Sequence, residues 1–189
     1  MAARFPILSL TPETFEKIAM LLDPPDLFEL AQDSKESHDL VKNTMKKLEK
    51  TLKLDISLFR GISSVRIFSN AKMLFDWTLY NKRNSMRFEL EDFEPRIFNG
   101  ISDSESESEK PIVFYRKNHV EYASVPTSTE EILKIAQYLA DLFDLPVKNL
   151  YFESHHLDYL DSILSCNMIK QDQLQFVNIA EAVVSHSEL

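Results

Sequence analysis

Glycine is nearly absent from this 189-residue chain, with Gly61 and Gly100 the only two. Loops that cradle phosphate, such as GxGxxG or GxxxxGKS, need several glycines because their backbone takes positive φ and approaches the ligand closely. Two isolated glycines exclude both patterns. Cysteine is scarcer still. Cys166 stands alone, so neither an internal disulfide nor a cysteine-based zinc site is expected, and the natural setting is a reducing intracellular compartment, cytoplasmic or nuclear. Basic charge is in deficit, with 21 Lys and Arg against 30 Asp and Glu for a net charge of −9. Residues 121–189 hold eleven acids and three lysines, 3 − 11 = −8, nearly the whole imbalance. That surface opposes nucleic acid, whose binding depends on exchanging counterions for basic side chains. No uncharged apolar run approaches the ~18 residues of a membrane span, and Met1–Pro6 lacks the apolar core of a signal peptide. A soluble protein with no membrane partner is expected.

Catalytic signatures are missing as well. No serine sits in a GxSxG turn, and Cys166, within Leu164-Ser165-Cys166-Asn167, has no basic neighbour in sequence to lower its pKa. The adjacent His155 and His156 would point about 100° apart on a helix, whereas paired metal ligands on one helix sit three or four positions apart. Asp158 and Asp161 have the spacing to share a face, but no second His-rich segment accompanies them, so they read as an exposed acidic face. The chain is expected to have no catalytic residue, no metal site and no cofactor.

What the chain does contain is apolar mass: 44% apolar residues, including 13 Phe, 6 Tyr and one Trp. Thr11-Pro12-Glu13 places a capping hydroxyl, a proline and an acid where a helix begins, which predicts a helix over 12–22. Asp23-Pro24-Pro25-Asp26 ends it and opens a second over 25–32. Ser34 caps a third, running to about 49. Its lysines 42, 46, 47 and 50 form a solvated face at helical spacing. From Leu52 the period changes: Leu52, Leu54, Ile56 and Leu58 alternate with polar residues, the two-residue repeat of a half-buried strand. Further short strands are expected at Val65–Phe68, Met86–Leu90, Ile112–Tyr115, Leu150–Phe152 and Leu174–Val177. Helices are expected at Ala71–Tyr80, Thr129–Phe143 and Leu157–Cys166, the second opened by Thr127 and Glu130 at capping-box spacing. The strand spacing fits either a degenerate, curved leucine-rich-repeat-like layer or an ordinary α/β layer with right-handed crossovers.

Ser102-Asp103-Ser104-Glu105-Ser106-Glu107-Ser108-Glu109 has no apolar residue to bury, so 101–110 is expected to be a disordered acidic loop. Ser102, Ser104 and Ser106 each have an acid three positions downstream, the pattern that acid-directed kinases prefer. A solvated linker explains the segment equally simply.

The first helix carries more apolar surface than one neighbour can cover. At 100° per residue Phe15, Ile18, Ala19 and Leu22 share one face, whereas Met20 and Leu21 lie off it. Segments of about 40 residues seldom fold alone. The stretch from Phe5 to Lys42 therefore either meets a second polypeptide or docks on the chain's own second half.

Phe5-Pro6-Ile7-Leu8-Ser9-Leu10-Thr11-Pro12-Glu13, Ile18, Leu22, Pro25-Asp26-Leu27, Leu30 and Ser34-Lys35 resemble the F-box motif in an ungapped register. The opening Phe-Pro-x-Leu and the Asp-Pro-x-Asp-Leu turn resemble the F-box proteins expanded in nematodes. Residues beyond 50, with Val65–Phe68 and the stretch from Glu130 to Ile179, are more loosely similar to the type 2 F-box-associated region of that group. Thr11 stands where the motif has proline, Asp33 at a usually apolar position, and Ser37 where many members have tryptophan.

The resemblance implies an α+β chain with a three-helix F-box at 1–50 and an F-box-associated α/β region of short strands and helices at 51–189. It also implies a substrate-recruiting subunit of an SCF-type ubiquitin ligase with no bond chemistry of its own. Its partners would be a Skp-family adaptor, a cullin-based ligase and a protein substrate of unknown identity. The residues it assigns to adaptor binding are Leu8, Leu10, Pro12, Ile18, Leu21, Pro25, Leu27 and Leu30, as apolar anchors with the prolines fixing each helix entry. The alternative is an interaction module outside any ligase, whose N-terminal helices pack on its own body. Trp77, Tyr80 and Tyr151 are candidates for a recognition surface or, by aromatic burial tendencies, for the core.

Overall fold

The computed structural model describes residues 10–47, 52–59, 62–80, 95–98, 112–125, 129–153 and 176–180. Helix α1 (Pro12–Ala19) starts where the sequence signals it. The Thr11 hydroxyl accepts the Thr14 N–H at 3.3 Å, and Pro12 has no N–H to leave unpaired. The helix ends at Ala19 rather than at 22, and the Leu21 N–H closes a last tight turn on the Ile18 carbonyl at 2.9 Å. Helix α2 (Pro24–Ala31) begins with the paired prolines as its first two residues. Helix α3 (Lys35–Lys47) begins after Ser34, whose hydroxyl accepts the Ser37 N–H at 3.1 Å. The departures from the motif fit these ends. Thr11 is a cap, Asp33 is exposed, and the buried Ser37 hydroxyl lies 3.1 Å from that of Ser34.

Strands β1 (Leu52–Leu58), β2 (Ile62–Ser69), β3 (Lys72–Tyr80), β4 (Pro95–Ile97), β5 (Val113–Arg116) and β6 (Glu121–Ser124) lead into helix α4 (Thr129–Phe143) and then β7 (Val147–Glu153) and β8 (Phe176–Ala180). They form one mixed sheet in the order β4-β5-β6-β3-β2-β1-β7-β8. The β1–β2–β3 run is an antiparallel meander, whereas β3–β6, β1–β7 and β7–β8 pair in parallel. A leucine-rich-repeat-like layer would set successive strands side by side in parallel, so the described architecture is the ordinary mixed α+β one.

The helix expected over Ala71–Tyr80 is strand β3. The cause is the two-residue turn before it. Asn70 and Ala71 both take positive φ, 48° and 70°, and bring Lys72 opposite Ser69. That is the geometry of a tight hairpin turn, which usually uses glycine at its second position. A glycine-poor chain places alanine there, hiding the signal. Asp144 takes the left-handed conformation, φ 52°, just past α4, where glycine is again the usual residue. The Leu145 N–H reaches back to the Ala140 carbonyl at 2.9 Å, and Pro146 prevents the helix from resuming. Strands β4 and β6 were not anticipated. The expected strand at Met86–Leu90, the expected helix at Leu157–Cys166, the acidic segment 101–110 and Thr127 lie outside the described residues.

Register places one face of the sheet in the core. Leu54 stands opposite Ile67 and Ile67 opposite Phe75. In the next row Ile56, Val65, Trp77 and Tyr122 line up, and Leu150 and Phe152 continue the face on β7. All are buried, and they form a single cluster with Phe15, Ala19, Leu27, Phe28, Val41 and Met45 of α1 to α3 and with Ile135, Leu139 and Leu142 of α4. The opposite face has the row Asn149, Asp55, Arg66, Asp76, Glu121.

Candidate functional site

Two parts of the N-terminal helices use their apolar residues differently. On α1 and the turn that follows it, Phe15 and Ala19 are buried, Ile18 and Leu22 are half-buried, and Met20 and Leu21 are 60% and 85% exposed. The angular reading of this helix predicts that division. Leu10 is half-buried, Pro12 is exposed, and the exposed apolar pair Met20–Leu21 follows directly on the last residue of α1.

On α2 the apolar residues point inward. Leu27 and Phe28 are completely buried, Pro25 and Ala31 are buried, and Leu30 packs half-buried against the core. Phe28 meets Phe75, Trp77, Phe114, Tyr122 and Tyr138 edge-on, with ring centroids 5.3–6.1 Å away and interplanar angles of 70–89°. Such edge contacts each add about 0.5–1.5 kcal/mol beyond the area they bury. The polar atoms of the cluster are satisfied: the Trp77 indole N–H donates to the Ser124 hydroxyl at 2.9 Å, and the Gln32 amide donates to the Tyr138 oxygen at 2.6 Å. Burial pushes the pKa of both Tyr122 and Tyr138 above the usual tyrosine value, so both keep their protons. The nearby Glu29 carboxylate adds to the effect at Tyr122.

A charged rim surrounds this aromatic plug. Asp23, Asp26 and Glu29 recur every third residue along α2, and β4, β5 and the β5–β6 turn bring Arg96, Arg116 and His119 to meet them. Glu29 pairs with Arg96 and lies 3.5 Å from Arg116. Asp26 stands 3.9 Å from both Arg116 and His119, and Asp23 is 3.4 Å from His119. The Tyr122 hydroxyl donates to Glu29 at 3.2 Å, and the Arg116 guanidinium sits 5.9 Å from the Tyr122 ring centre. The register explains the convergence: Arg96 stands opposite Phe114, and Arg116 is two residues on from it, so both point to the helix side of the sheet.

The residues that the resemblance assigns to adaptor binding are therefore divided. Leu10 and Ile18 are half-buried, Pro12 and Leu21 are exposed, Pro25 and Leu27 are buried, and Leu30 is half-covered against the core. Among the described residues of that stretch, Phe15, Ala19, Leu27, Phe28, Ala31 and Val41 belong to the chain's own core, whereas Met20 and Leu21 are exposed. Trp77 and Tyr80 are core residues, and Tyr151 is half-buried. Of the lysine face, Lys42 pairs with Asp141 at 2.6 Å, Lys47 pairs with Glu16 and Lys46 is exposed. Leu8, Lys50, Ser102, Ser104, Ser106, His155, His156 and Cys166 lie outside the described residues.

The aromatic cluster and its ionic rim were not singled out from sequence. The Asp23/Asp26/Glu29 spacing was legible, but nothing local marks Arg96, Arg116 and His119 as its partners. Among the described residues no group of three His, Cys, Asp or Glu side chains could hold a metal ion, and no helix is long and apolar enough to cross a membrane. No protein-family model matches the chain, and neither a curated protein nor a solved structure does.

Proposed function

We propose that this chain is a substrate-recruiting subunit of an SCF-type ubiquitin ligase, binding a Skp-family adaptor through its N-terminal helices and a target protein through the remainder. The reading rests on the ungapped F-box-like pattern and on one observation above all, the 85% exposure of Leu21 beside Met20 at the end of α1. Burying a leucine contributes about 1.5–3 kcal/mol, so an apolar pair left in water is a plausible anchor for a partner. Such a subunit works inside the cell and acts by raising the effective concentration of substrate near the cullin-based ligase's catalytic partner, without breaking bonds itself. Phosphorylation of Ser102, Ser104 or Ser106 would add charge to an already acidic segment.

Co-purification with a recombinant Skp-type adaptor tests the reading. The wild-type chain is expected to retain the adaptor, and Leu21→Asp to lose it without losing stability. A wild-type chain that does not bind, or a Leu21→Asp variant that binds equally well, removes the proposal. A second reading, an interaction module outside any ligase, is favoured by the completely buried Phe28 and would then stand in its place.

A further inference from the structure

The rim around α2 joins acids from one helix to bases from three separate places on the sheet. The bases are far from the acids in sequence, so the contact exists only when α2 lies on β4–β6. Pro25 and Leu27 are buried, although the adaptor reading requires both, and the Tyr122 hydroxyl on β6 reaches the Pro25 carbonyl at 3.4 Å. Leu21 on α1 remains open. Two sets of anchors therefore differ in availability: the chain's own core already occupies the α2 set, with Pro25 beside Tyr122 of β6.

We infer that the α2 clasp is a self-masking contact: the adaptor and the β4–β6 part of the sheet compete for the same face of α2, and the Glu29–Arg96/Arg116 rim sets how often that face is free. The inference rests on the adaptor reading above and adds its regulation. Leu21 gives a first foothold, and full engagement requires α2 to leave Phe114 and Tyr122. An adaptor that binds only the opened form has an apparent dissociation constant raised in inverse proportion to the opened fraction. Loosening the rim raises that fraction. Because the pairs are partly solvent-exposed, salt screens them, and adaptor binding should strengthen as ionic strength rises.

The test compares a recombinant Skp-type adaptor's affinity for the wild-type chain and for Arg96→Glu/Arg116→Glu, with amide hydrogen exchange read in both. The variant is expected to bind about tenfold more tightly. Adding Glu29→Arg, which reverses the charge on the other side, should bring affinity back toward wild type. In the wild type, adaptor binding should speed exchange at residues 113–124 as their cover departs. Equal affinities with unchanged exchange at 113–124 would overturn the masking while leaving the ligase reading intact. Failure of every variant to bind the adaptor would overturn both. If the double reversal fails to fold, Arg96→Gln/Arg116→Gln gives the same comparison with a smaller expected gain.

Discussion

Two apolar pairs only a few residues apart, Met20–Leu21 and Leu27–Phe28, have opposite fates. The first is in water and the second is completely buried. Both pairs consist of large apolar side chains, so residue type alone does not distinguish them. Position around the helix and the neighbour supplied by the sheet do. On α1, Phe15 and Ala19 take the inward face and leave the next turn outside. On α2, Phe28 points at a pocket walled by aromatic rings from β3, β5, β6 and α4. An apolar stretch of sequence thus contains both structural and available residues, and only the fold divides them.

The sharpest way to break this comparison is Phe28→Ala against Leu21→Ala. The first should cost about 3–5 kcal/mol in denaturant unfolding, as lost burial and a cavity combine. The second should stay within about 0.5 kcal/mol, as expected for an exposed site. Similar losses at the two positions would end the distinction between plug and free flank. Next in size is Ser124→Ala beneath the plug, which leaves the buried Trp77 indole N–H without its acceptor and should cost about 1–3 kcal/mol. A cost near zero would mean the indole is satisfied elsewhere.

Ala71→Gly lies in the hairpin away from both regions and should stabilise the chain by about 1 kcal/mol, since alanine at φ 70° carries a steric cost that glycine avoids. Its gain should add to the loss from Phe28→Ala, because the sites share no partner. Thermal unfolding of the single and double variants checks both statements.

The smallest effect concerns the opposite face of the sheet. Burial holds the Asp55 carboxyl above its usual 3.8, against the lowering effect of the Asn149 amide that donates to it at 2.7 Å. The folded chain therefore binds this proton more tightly than the unfolded chain. Stability falls as pH rises from about 3.8 through the folded value and then levels off. Asp55→Asn removes that loss, so the variant should gain stability at neutral pH and lose the gain below pH 3.8. A urea-midpoint series across pH measures it, and a gain that persists in acid would point to a cause other than titration.

Some elements were legible because their signals are local. Thr11-Pro12 and Ser34 mark helix starts by capping, the Leu52–Leu58 alternation declares a strand, and Thr129–Phe143 keeps a helical period throughout. Strand β3 was not legible. Lys72-Met73-Leu74-Phe75 suits a helix, and only the Asn70–Ala71 reversal and pairing with β2 make it extended. Of the candidate site, the separation of Leu21 from the Phe15 face was legible as a helix angle, whereas its exposure to water and the burial of Pro25 and Leu27 were not.

The sequence by itself determined the helix caps, the shortage of glycine that leaves Asn70, Ala71 and Asp144 at positions where the fold needs left-handed backbone, and the apolar content of α1 and α2. Tertiary structure decided which of those apolar residues remain in water and which bases meet the acids of α2. The reason is distance along the chain: Arg96, Arg116 and His119 are remote from α2 in sequence, and strand order and register, set by pairing across the whole sheet, bring them to its rim.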